Sequence, residues 1–169
     1  MRELSDPHGA LTSDQFRQVM GLFATGVTIL TSAHGSTVRA MTANAVASVS
    51  LDPLSLLVCV NRSAIMHDVL SRGGGFCVNF LKASQEHLAR ACARPDSAEA
   101  SLSGVEYQLG KNGAPILTEA MGYVECAVAT ALDFGTHTIF VGTVLAFGGS
   151  EGDPLLFFGG KYAGLGQPG

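Results

Sequence analysis

Charge is scarce in this 169-residue chain: 14% of the residues are charged, 47% are apolar, and the formal net charge is -4. The length predicts a single domain. The net negative charge argues against the basic surface that nucleic-acid binding requires, so we do not expect nucleic acid as a partner. A soluble domain usually carries about a quarter charged residues. The shortage indicates that part of the surface is covered, most simply by a second copy of the chain, so we expect a homodimer.

The cysteines predict no metal centre. They lie far apart and form no C-x-x-C pair: Cys59, Cys77, Cys92 and Cys126. Zinc sites need closely spaced ligands, so no metal is expected. No signal-peptide pattern opens the chain, and no apolar run reaches the roughly 20 residues of a membrane span. These patterns predict a cytoplasmic protein with reduced thiols and no membrane partner.

The chain begins with a predicted tail and a helix. Residues 1–10 show no periodicity and predict a flexible tail. The segment T-S-D-Q at residues 12–15 fits a capping box. Apolar side chains follow at helical spacing, namely Phe16, Val19, Met20 and Phe23. This pattern predicts a helix of about three turns that ends near Gly26.

Short β-rich runs separated by turns make up most of the remainder. Strands are predicted at residues 27–33, 37–42, 44–50, 54–60, 76–81, 122–132, 138–147 and 155–158. The strand at residues 54–60 is predicted to be fully buried, because its residues are almost all apolar. Turns at residues 34–36 and 133–135 predict hairpins. Residues 94–113 predict a long loop that serves as a lid or a dimer contact.

Two more short helices are predicted between strands. The first begins at residue 63 and directs four side chains inward: Ile65, Met66, Val69 and Leu70. The second is capped by Ser84 and runs to about Ala93, with Leu88 and Cys92 inward. About seven strands with three short helices favour an antiparallel barrel over a doubly wound sheet. One domain is therefore expected at residues 11–163, followed by a tail at 164–169.

Small polar side chains distinguish residues 42–50, which we call the shelf. Only Ala or Val separates its hydrogen-bonding residues, Thr42, Asn44, Ser48 and Ser50. A polar but uncharged surface suits a large, flat, neutral ring, whose edge can bond to amides and hydroxyls. The alternative is an ordinary strand edge whose polar side chains face water.

The apolar run at residues 54–60 ends abruptly in Asn61, Arg62 and Ser63, which we call the corner. These side chains offer hydrogen-bond donors to an anion such as phosphate. The helix predicted to follow would add free backbone N–H groups and a partial positive charge. The alternative is a plain strand-to-helix turn in which Ser63 is the N-cap.

Several segments, taken in order, resemble the flavin reductase family. Its signature is M-T-A-N-A-V-A-S-V-S-L-D-P at residues 41–53 followed by L-L-V-C-V-N-R-S at 56–63. Related segments are F-A-T-G-V-T-I-L-T at residues 23–31, G-F-C-V-N-F-L at 75–81, H-T-I-F-V-G-T-V at 137–144 and P-L-L-F-F-G-G-K-Y at 154–162. The resemblance covers residues 16–162. Within the family, the chain resembles the reductase components of two-component flavin monooxygenases of the styrene monooxygenase type.

That resemblance implies an FMN-binding split barrel, which is an antiparallel Greek-key fold that forms homodimers. It implies NAD(P)H:flavin oxidoreductase activity, with FMN or FAD as the flavin, NADH or NADPH as the hydride donor, and a separate monooxygenase that receives the reduced flavin. The implied catalytic residue is His137. The implied cofactor-binding residues are Met41, Thr42, Ala43, Asn44, Ser48, Val49, Ser50, Asn61, Arg62, Ser63, Lys161 and Tyr162.

Two departures from the family pattern leave details open. Relatives often have Gly-Asp-His where this chain has Thr136 before His137, so the histidine lacks a carboxylate partner. Ala64 replaces a second small hydroxyl residue after Ser63, which leaves open whether the flavin is FMN or FAD. For His137 the alternative is a hairpin residue in solvent. For the G-G-K-Y segment at residues 159–162, the alternative is a strand end with an exposed lysine.

The sequence contains no Rossmann fingerprint, so NAD(P)H is expected to bind in a shallow, transient site over the flavin. Because the cofactors contain the reacting atoms, the protein has only to stack two rings and stabilise the developing charge. One alternative is a flavin- or haem-binding protein on the same barrel without turnover. Another is an FMN oxidase of the pyridoxamine-phosphate type, for which ten Lys and Arg residues are few.

Overall fold

The computed structural model describes residues 10–94 and 102–166. Across these residues the chain forms three α-helices, α1 Ser13–Met20, α2 Ile65–Gly73 and α3 Glu86–Cys92, and a one-turn 3₁₀ helix, Ala83–Gln85, precedes α3. The predicted tails fall mostly outside the described residues, which exclude 1–9 and 167–169.

Most of the described chain is antiparallel β-structure. Its strands are β1 Thr25–Gly26, β2 Thr28–His34, β3 Thr37–Ala43, β4 Val46–Leu51, β5 Leu54–Asn61, β6 Gly75–Phe80, β7 Tyr107–Leu109, β8 Pro115–Leu117, β9 Gly122–Phe134, β10 His137–Gly149, β11 Leu156–Phe158 and β12 Lys161–Ala163. Among these strands, one sheet has the order β3-β2-β6-β9-β10-β5-β4, a second has β1-β11-β12, and a third pairs β7 with β8. The prediction of a mainly β, antiparallel fold with three short helices is confirmed.

The large sheet curls on itself. β3 and β4 stand at opposite ends of its strand order, yet only Asn44 and Ala45 connect them along the chain. The three steps from Ala43 to Val46 span roughly 11 Å at most, so the two ends of the sheet come close together at this link. The backbone N–H of Cys59 in β5 donates to the Ala45 carbonyl at 3.0 Å, which fixes the link against the sheet.

Hydrophobic cores lie on both faces of this sheet. Leu30, Val58 and Phe140 belong to the core inside the curl, where α2 also packs. Ile29 and Leu88 belong to a second core that joins β2 and β3 to α3. Consecutive residues of a strand point to opposite faces, so Ile29 and Leu30 serve different cores. Helix α3 therefore rests on the face of β3 that points away from the inner core.

Helix α1 begins as predicted but is shorter. Thr12 is its N-cap: the Gln15 N–H donates to the Thr12 hydroxyl at 3.2 Å, and the Gln15 side chain accepts from the Thr12 N–H at 3.2 Å. The helix ends at Met20 after about two turns, and Gly26 lies in β1. Glycine at position 21 accounts for the early end, because glycine is a poor helix former. All eight residues of α1 are exposed.

Strand β5 is not fully buried, contrary to the prediction. Leu56, Val58 and Val60 point into the inner core, whereas Leu54 is exposed and Leu57 is half-buried. In an antiparallel sheet each strand commonly buries one face against its core. The unbroken apolar run therefore places part of its hydrophobic surface outside the curl.

Helices α2 and α3 match the prediction in their cores and differ at their starts. The predicted inward residues Met66, Val69, Leu70, Leu88 and Cys92 are buried. Ile65 is exposed because it opens α2 beside a cavity. Ser84 lies in the 3₁₀ helix instead of capping α3, because the Gln85 side chain accepts from the Lys82 N–H at 2.9 Å and starts that turn earlier.

The predicted loop at residues 94–113 contains part of a small hairpin. β7 pairs with β8, and the Asn112 N–H between them donates to the buried Glu125 carboxylate on β9 at 2.6 Å. Residues 95–101 of this loop lie outside the described part of the chain. A lid or dimer contact there stays a prediction.

A hairpin at residues 156–163 was not predicted from the sequence. β12 pairs with β11, and Gly159 and Gly160 form the turn with φ of 58° and 77°, a backbone region that favours glycine. Three residues are too few to show a strand periodicity, which explains the omission. The long hairpin of β9 and β10 was predicted, and its strands pair from His137 opposite Phe134 to Gly149 opposite Gly122.

The cysteines are free thiols in the described chain. Burial raises the pKa of the Cys126 thiol to about 12, with a further contribution from Glu125, and burial likewise raises the pKa of Cys77 and of Cys59. Among residues 10–94 and 102–166, no group of three or more His, Cys, Asp or Glu side chains is placed to hold a metal ion. None of the described helices has the length and apolar character to cross a membrane.

Candidate functional site

Hydrogen bonds within the chain fix the corner. The Asn61 Oδ1 accepts two hydrogen bonds from Ser63, one from its backbone N–H and one from its hydroxyl, both at 2.9 Å. The Asn61 carbonyl accepts from the Ala64 N–H at 3.0 Å. Asparagine favours such turns because its side chain can mimic a backbone carbonyl. The loop between β5 and α2 is therefore ordered by its own residues.

Strand β10 places His137 beside the corner. His137 lies opposite Asn61 in the register of β5 and β10, and the Arg62 N–H donates to the Thr136 carbonyl at 3.0 Å. Opposite residues of an antiparallel pair have α-carbons about 4.5–5.5 Å apart. The implied phosphate site and the implied catalytic histidine therefore lie next to each other in the fold.

Thr136 occupies the position of the family's aspartate and contacts the histidine. Its Oγ1 lies 2.9 Å from the Nδ1 of His137. A hydroxyl can donate to or accept from an imidazole nitrogen, so Thr136 can orient the ring without adding charge. The His137 side chain is exposed and therefore accessible to a ligand.

Helix α2 begins two residues beyond the corner. Its N-cap is Ala64, whose methyl group carries no hydrogen-bond acceptor, so Ser63 is not the N-cap that the plain-turn alternative predicts. The first N–H groups of a helix need partners from outside the helix and carry a partial positive charge. The nine-residue helix α2 therefore directs donors toward the corner.

A cavity of about 370 Å³ opens next to the corner. Its wall includes Met41, Asn61 and Ser63, three of the predicted cofactor-binding residues. Arg39 from β3 and Arg94 after α3 add positive charge, and no carboxylate occurs among the described lining residues. The volume lies within the range of small-molecule sites, roughly 300–1,000 Å³. A donor-rich, positively charged wall fits a phosphate-bearing ligand.

Sequence reasoning did not identify Arg39 or Arg94 as site residues. Arg39 stands directly before the A-M-T-A-N segment, and Arg94 follows the last turn of α3. With only ten Lys and Arg in the chain, each arginine is a usable signal. Their meeting at one cavity depends on α3 packing against β3, which no local pattern reveals.

Strand β3 turns its predicted site residues in different directions. Met41 lines the cavity, Ala43 is buried in the inner core, and Thr42 faces α3. The Thr42 hydroxyl donates to the Ala89 carbonyl at 2.6 Å. Its hydrogen is therefore used within the chain, while its oxygen can still accept.

Strand β4 presents the other shelf residues at the end of the sheet. Ser48 and Val49 are exposed, and the register with β5 shifts between Ser48 and Ser50, so that Val49 forms a β-bulge. The Ser50 hydroxyl donates to the Asp52 carbonyl at 3.0 Å and accepts from the Asp52 N–H at 3.1 Å. A bulge disrupts the ladder locally and exposes backbone groups that a ligand can use.

The β4 part of the shelf stands apart from the corner along β5. Ser48 lies opposite Leu56, five residues before Asn61 in the same strand. At the rise of a β-strand this is roughly 17 Å. Asn44 follows β3, and its amide donates to the Thr25 hydroxyl at 3.3 Å. The arrangement suits an elongated ligand with a ring at one end and a phosphate at the other.

Tyr162 packs against α3 and lies outside the described wall of the cavity. Its ring meets Phe157 edge-on at 5.5 Å, and the Arg90 guanidinium lies 4.8 Å from its centre. Burial raises the pKa of the Tyr162 hydroxyl above its ordinary value, and the Arg90 charge opposes that shift. Lys161 is exposed beside the turn. Neither residue is among the described lining residues of the cavity.

Comparisons with known proteins show which family the chain resembles. The flavin reductase like domain family matches residues 20–166. An NADH-dependent FAD reductase from Streptomyces globisporus is 40% identical over 167 residues, covering 95% of this chain and 88% of that protein.

Solved structures show the same fold. The NADH:FAD oxidoreductase of Streptomyces globisporus, in complex with NAD and FAD fragments, has a TM-score of 0.88 at 38% identity and covers 98% of both chains. The styrene monooxygenase flavin reductase of Pseudomonas putida has a TM-score of 0.78 at 34% identity, covering 90% of this chain and 98% of that one. By sequence and by fold, the chain belongs to the flavin reductase like domain family.

Proposed function

We propose that the chain is an NADH-dependent flavin reductase that supplies reduced flavin to a separate monooxygenase. The cavity beside the corner carries this proposal, because its guanidinium, amide and hydroxyl groups suit a phosphate-bearing cofactor. The NADH-dependent FAD reductase of Streptomyces globisporus supports NADH as the donor. The styrene monooxygenase flavin reductase supports a monooxygenase as the recipient. Free thiols support a cytoplasmic location.

We assign the flavin phosphate to the corner and the flavin ring to the shelf. When bound, the nicotinamide and the flavin contain the reacting atoms, with the hydride passing to the flavin N5. The donors of Arg62, Ser63 and the start of α2 hold the phosphate. Exposed backbone groups around the bulge at Val49 hold the ring edge. His137, oriented by Thr136, lies opposite Asn61 and therefore at the phosphate end of this arrangement.

We infer that FAD is preferred over FMN. FAD carries a second phosphate and an adenosine beyond the first phosphate, and the cavity extends from the corner to Arg39 and Arg94. Guanidinium groups suit phosphate because they donate two parallel hydrogen bonds. A lower KM for FAD than for FMN is expected, and Arg39→Gln should reduce that difference. Equal KM values for the two flavins would contradict the preference.

We also propose that the curled sheet acts as a closed split barrel within a homodimer. On α1, Phe16 is 67% exposed and Phe23, just beyond the helix, is 68% exposed. Phe134 and Phe147 on the long hairpin are exposed as well. A helix of eight residues depends on tertiary packing for its stability, so this apolar face needs a partner. A second copy of the chain is the simplest cover.

The test of the proposed function is NADH oxidation with added free FAD, FMN or riboflavin, followed by the loss of NADH absorbance. We expect oxidation that requires added flavin and saturates with it, and that is slower with NADPH. In an anaerobic dialysis cell, flavin on the far side of the membrane should also become reduced, because the reduced product must leave the protein. A protein that retains flavin tightly and oxidises neither nucleotide would instead favour the binding module without turnover.

A further inference from the structure

An acidic residue lies next to the corner, in the turn end of the long hairpin. The Asp133 Oδ2 is 4.0 Å from the Nε of Arg62, and the two side chains are 61% and 53% exposed. Exposed ion pairs of this kind are weak, because water screens them. Arg62 therefore has a counter-ion within reach that does not hold it firmly.

The other oxygen of the Asp133 carboxylate accepts a hydrogen bond from the facing strand, β10. The Thr138 hydroxyl, directly across the hairpin, donates to Asp133 Oδ1 at 2.5 Å. A carboxylate only accepts, so the Thr138 hydrogen is committed to it, and the Thr138 oxygen accepts from the Nε2 of His67 on α2 at 2.8 Å. Through this chain of contacts, α2 and β10 together restrain how far Asp133 can turn toward Arg62.

We propose that Asp133 is an internal competitor of the flavin phosphate for Arg62, and that Thr138 is the positioning residue that limits this competition. This inference rests on the proposed function, in which Arg62 binds the phosphate. A phosphate that reaches the corner replaces Asp133 at Arg62. The competition weakens flavin binding by a small factor, which suits an enzyme whose reduced flavin must dissociate to reach another protein.

The readout is the KM for FMN divided by the KM for riboflavin, because riboflavin has the same ring and no phosphate. Asp133→Asn removes the competing charge and keeps an oxygen for Thr138, so the ratio should fall roughly two- to fivefold. Thr138→Val frees the carboxylate to approach Arg62, so the ratio should rise by a similar factor, whereas Thr138→Ser keeps the hydroxyl and the native ratio. If Thr138 only supported the fold, Thr138→Val would raise the KM for FMN and the KM for riboflavin by the same factor, and their ratio would not change.

Asp14→Asn is the matched control. Asp14 is also exposed and paired with an arginine, Arg17, at 2.8 Å on α1. The two Asp→Asn substitutions change the net charge equally, so a ratio that falls only with Asp133→Asn excludes a general charge effect. In an Arg62→Gln background, Asp133→Asn should leave the ratio unchanged, because the contested guanidinium is gone.

Each failure has its own signature. A native chain that oxidises no NADH with any flavin refutes the proposed function. An active chain in which Arg62→Gln leaves the ratio unchanged refutes the phosphate assignment and the competitor with it. A ratio that is insensitive to Asp133→Asn, or that falls equally in the Arg62→Gln background, overturns the competitor alone. A ratio unchanged by Thr138→Val removes Thr138 from the proposal.

Discussion

The corner lies at the end of β5, the β4 part of the shelf pairs with that same strand, and the two regions differ in how their residues are held. At the corner, Asn61 accepts two bonds from Ser63, and the Arg62 N–H bonds to the hairpin at Thr136. At the shelf, Ser48 and Val49 are exposed at a bulge on the last strand of the sheet order.

This difference bears on what each region can recognise. A fixed set of donors can discriminate by charge, because the donors are already in place when an anion arrives. An open strand edge recognises shape and supplies backbone bonds, and it needs a cover, which the ring or a second chain provides. We therefore expect changes at the corner to affect phosphorylated flavins selectively, and changes at the shelf to affect all flavins alike.

Blocking the shelf should have the largest effect. Ser48→Trp places a large side chain where we assign the ring, and overpacking of this kind should raise the KM for riboflavin, FMN and FAD about tenfold or more. Ser48 is exposed, so the fold should be retained, as checked by thermal unfolding. Ser71→Trp, an exposed serine on α2, is the matched control. Equal KM values for Ser48→Trp and the native chain would place the ring elsewhere.

Removing the arginine of the corner should have the next largest effect. Arg62→Gln loses charge-assisted hydrogen bonds to phosphate, so the KM for FMN and FAD should rise about tenfold, with a much smaller change for riboflavin. Arg72→Gln makes the same change of charge at an exposed pair on α2 and serves as the control. A loss shared equally by riboflavin would contradict the division between corner and shelf.

Charging the apolar face of α1 should break the proposed dimer. The double variant Phe16→Glu and Phe23→Glu places two charges on side chains that are otherwise exposed and apolar. The mass from light scattering should fall from that of two chains to that of one. If the partner covers the shelf, riboflavin binding should weaken as well. A native chain that is already monomeric would contradict the homodimer.

The smallest effect is expected at Thr42. Its hydroxyl donates to the Ala89 carbonyl on α3, so Thr42→Val should lower the free energy of unfolding by about 1 kcal/mol. Thr42 belongs to the shelf, but its hydroxyl is turned to α3, so the KM for every flavin should change less than about twofold. Urea unfolding and steady-state kinetics measure the two quantities. A large rise in KM at unchanged stability would instead place the Thr42 side chain against the flavin.

Local sequence patterns predicted the elements whose signals are local. The capping box at Thr12 and the hairpin of β9 and β10 are each specified by residues that are close together in the sequence, and both occur in the structure. The apolar run of β5 was misread, because hydrophobic composition does not say on which side of a sheet a chain finds its core.

The site was only partly predictable for the same reason. The corner could be read from Asn61 to Ser63, because strand end, turn and helix start follow one another in the chain. The approach of Asp133 to Arg62 depends on strand register between residues about seventy positions apart, and so does the place of His137 opposite Asn61. Such pairings carry no local signal, so only the folded chain reveals them.

A crystal structure with bound FAD is the most direct measurement. We expect the first phosphate within hydrogen-bond distance of Arg62 and Ser63, the isoalloxazine along β4 at Ser48 to Ser50, and the Arg62 guanidinium turned from Asp133 to the phosphate. Density for the phosphate at another part of the protein, with the corner unchanged and still bonded within itself, would contradict the assignment.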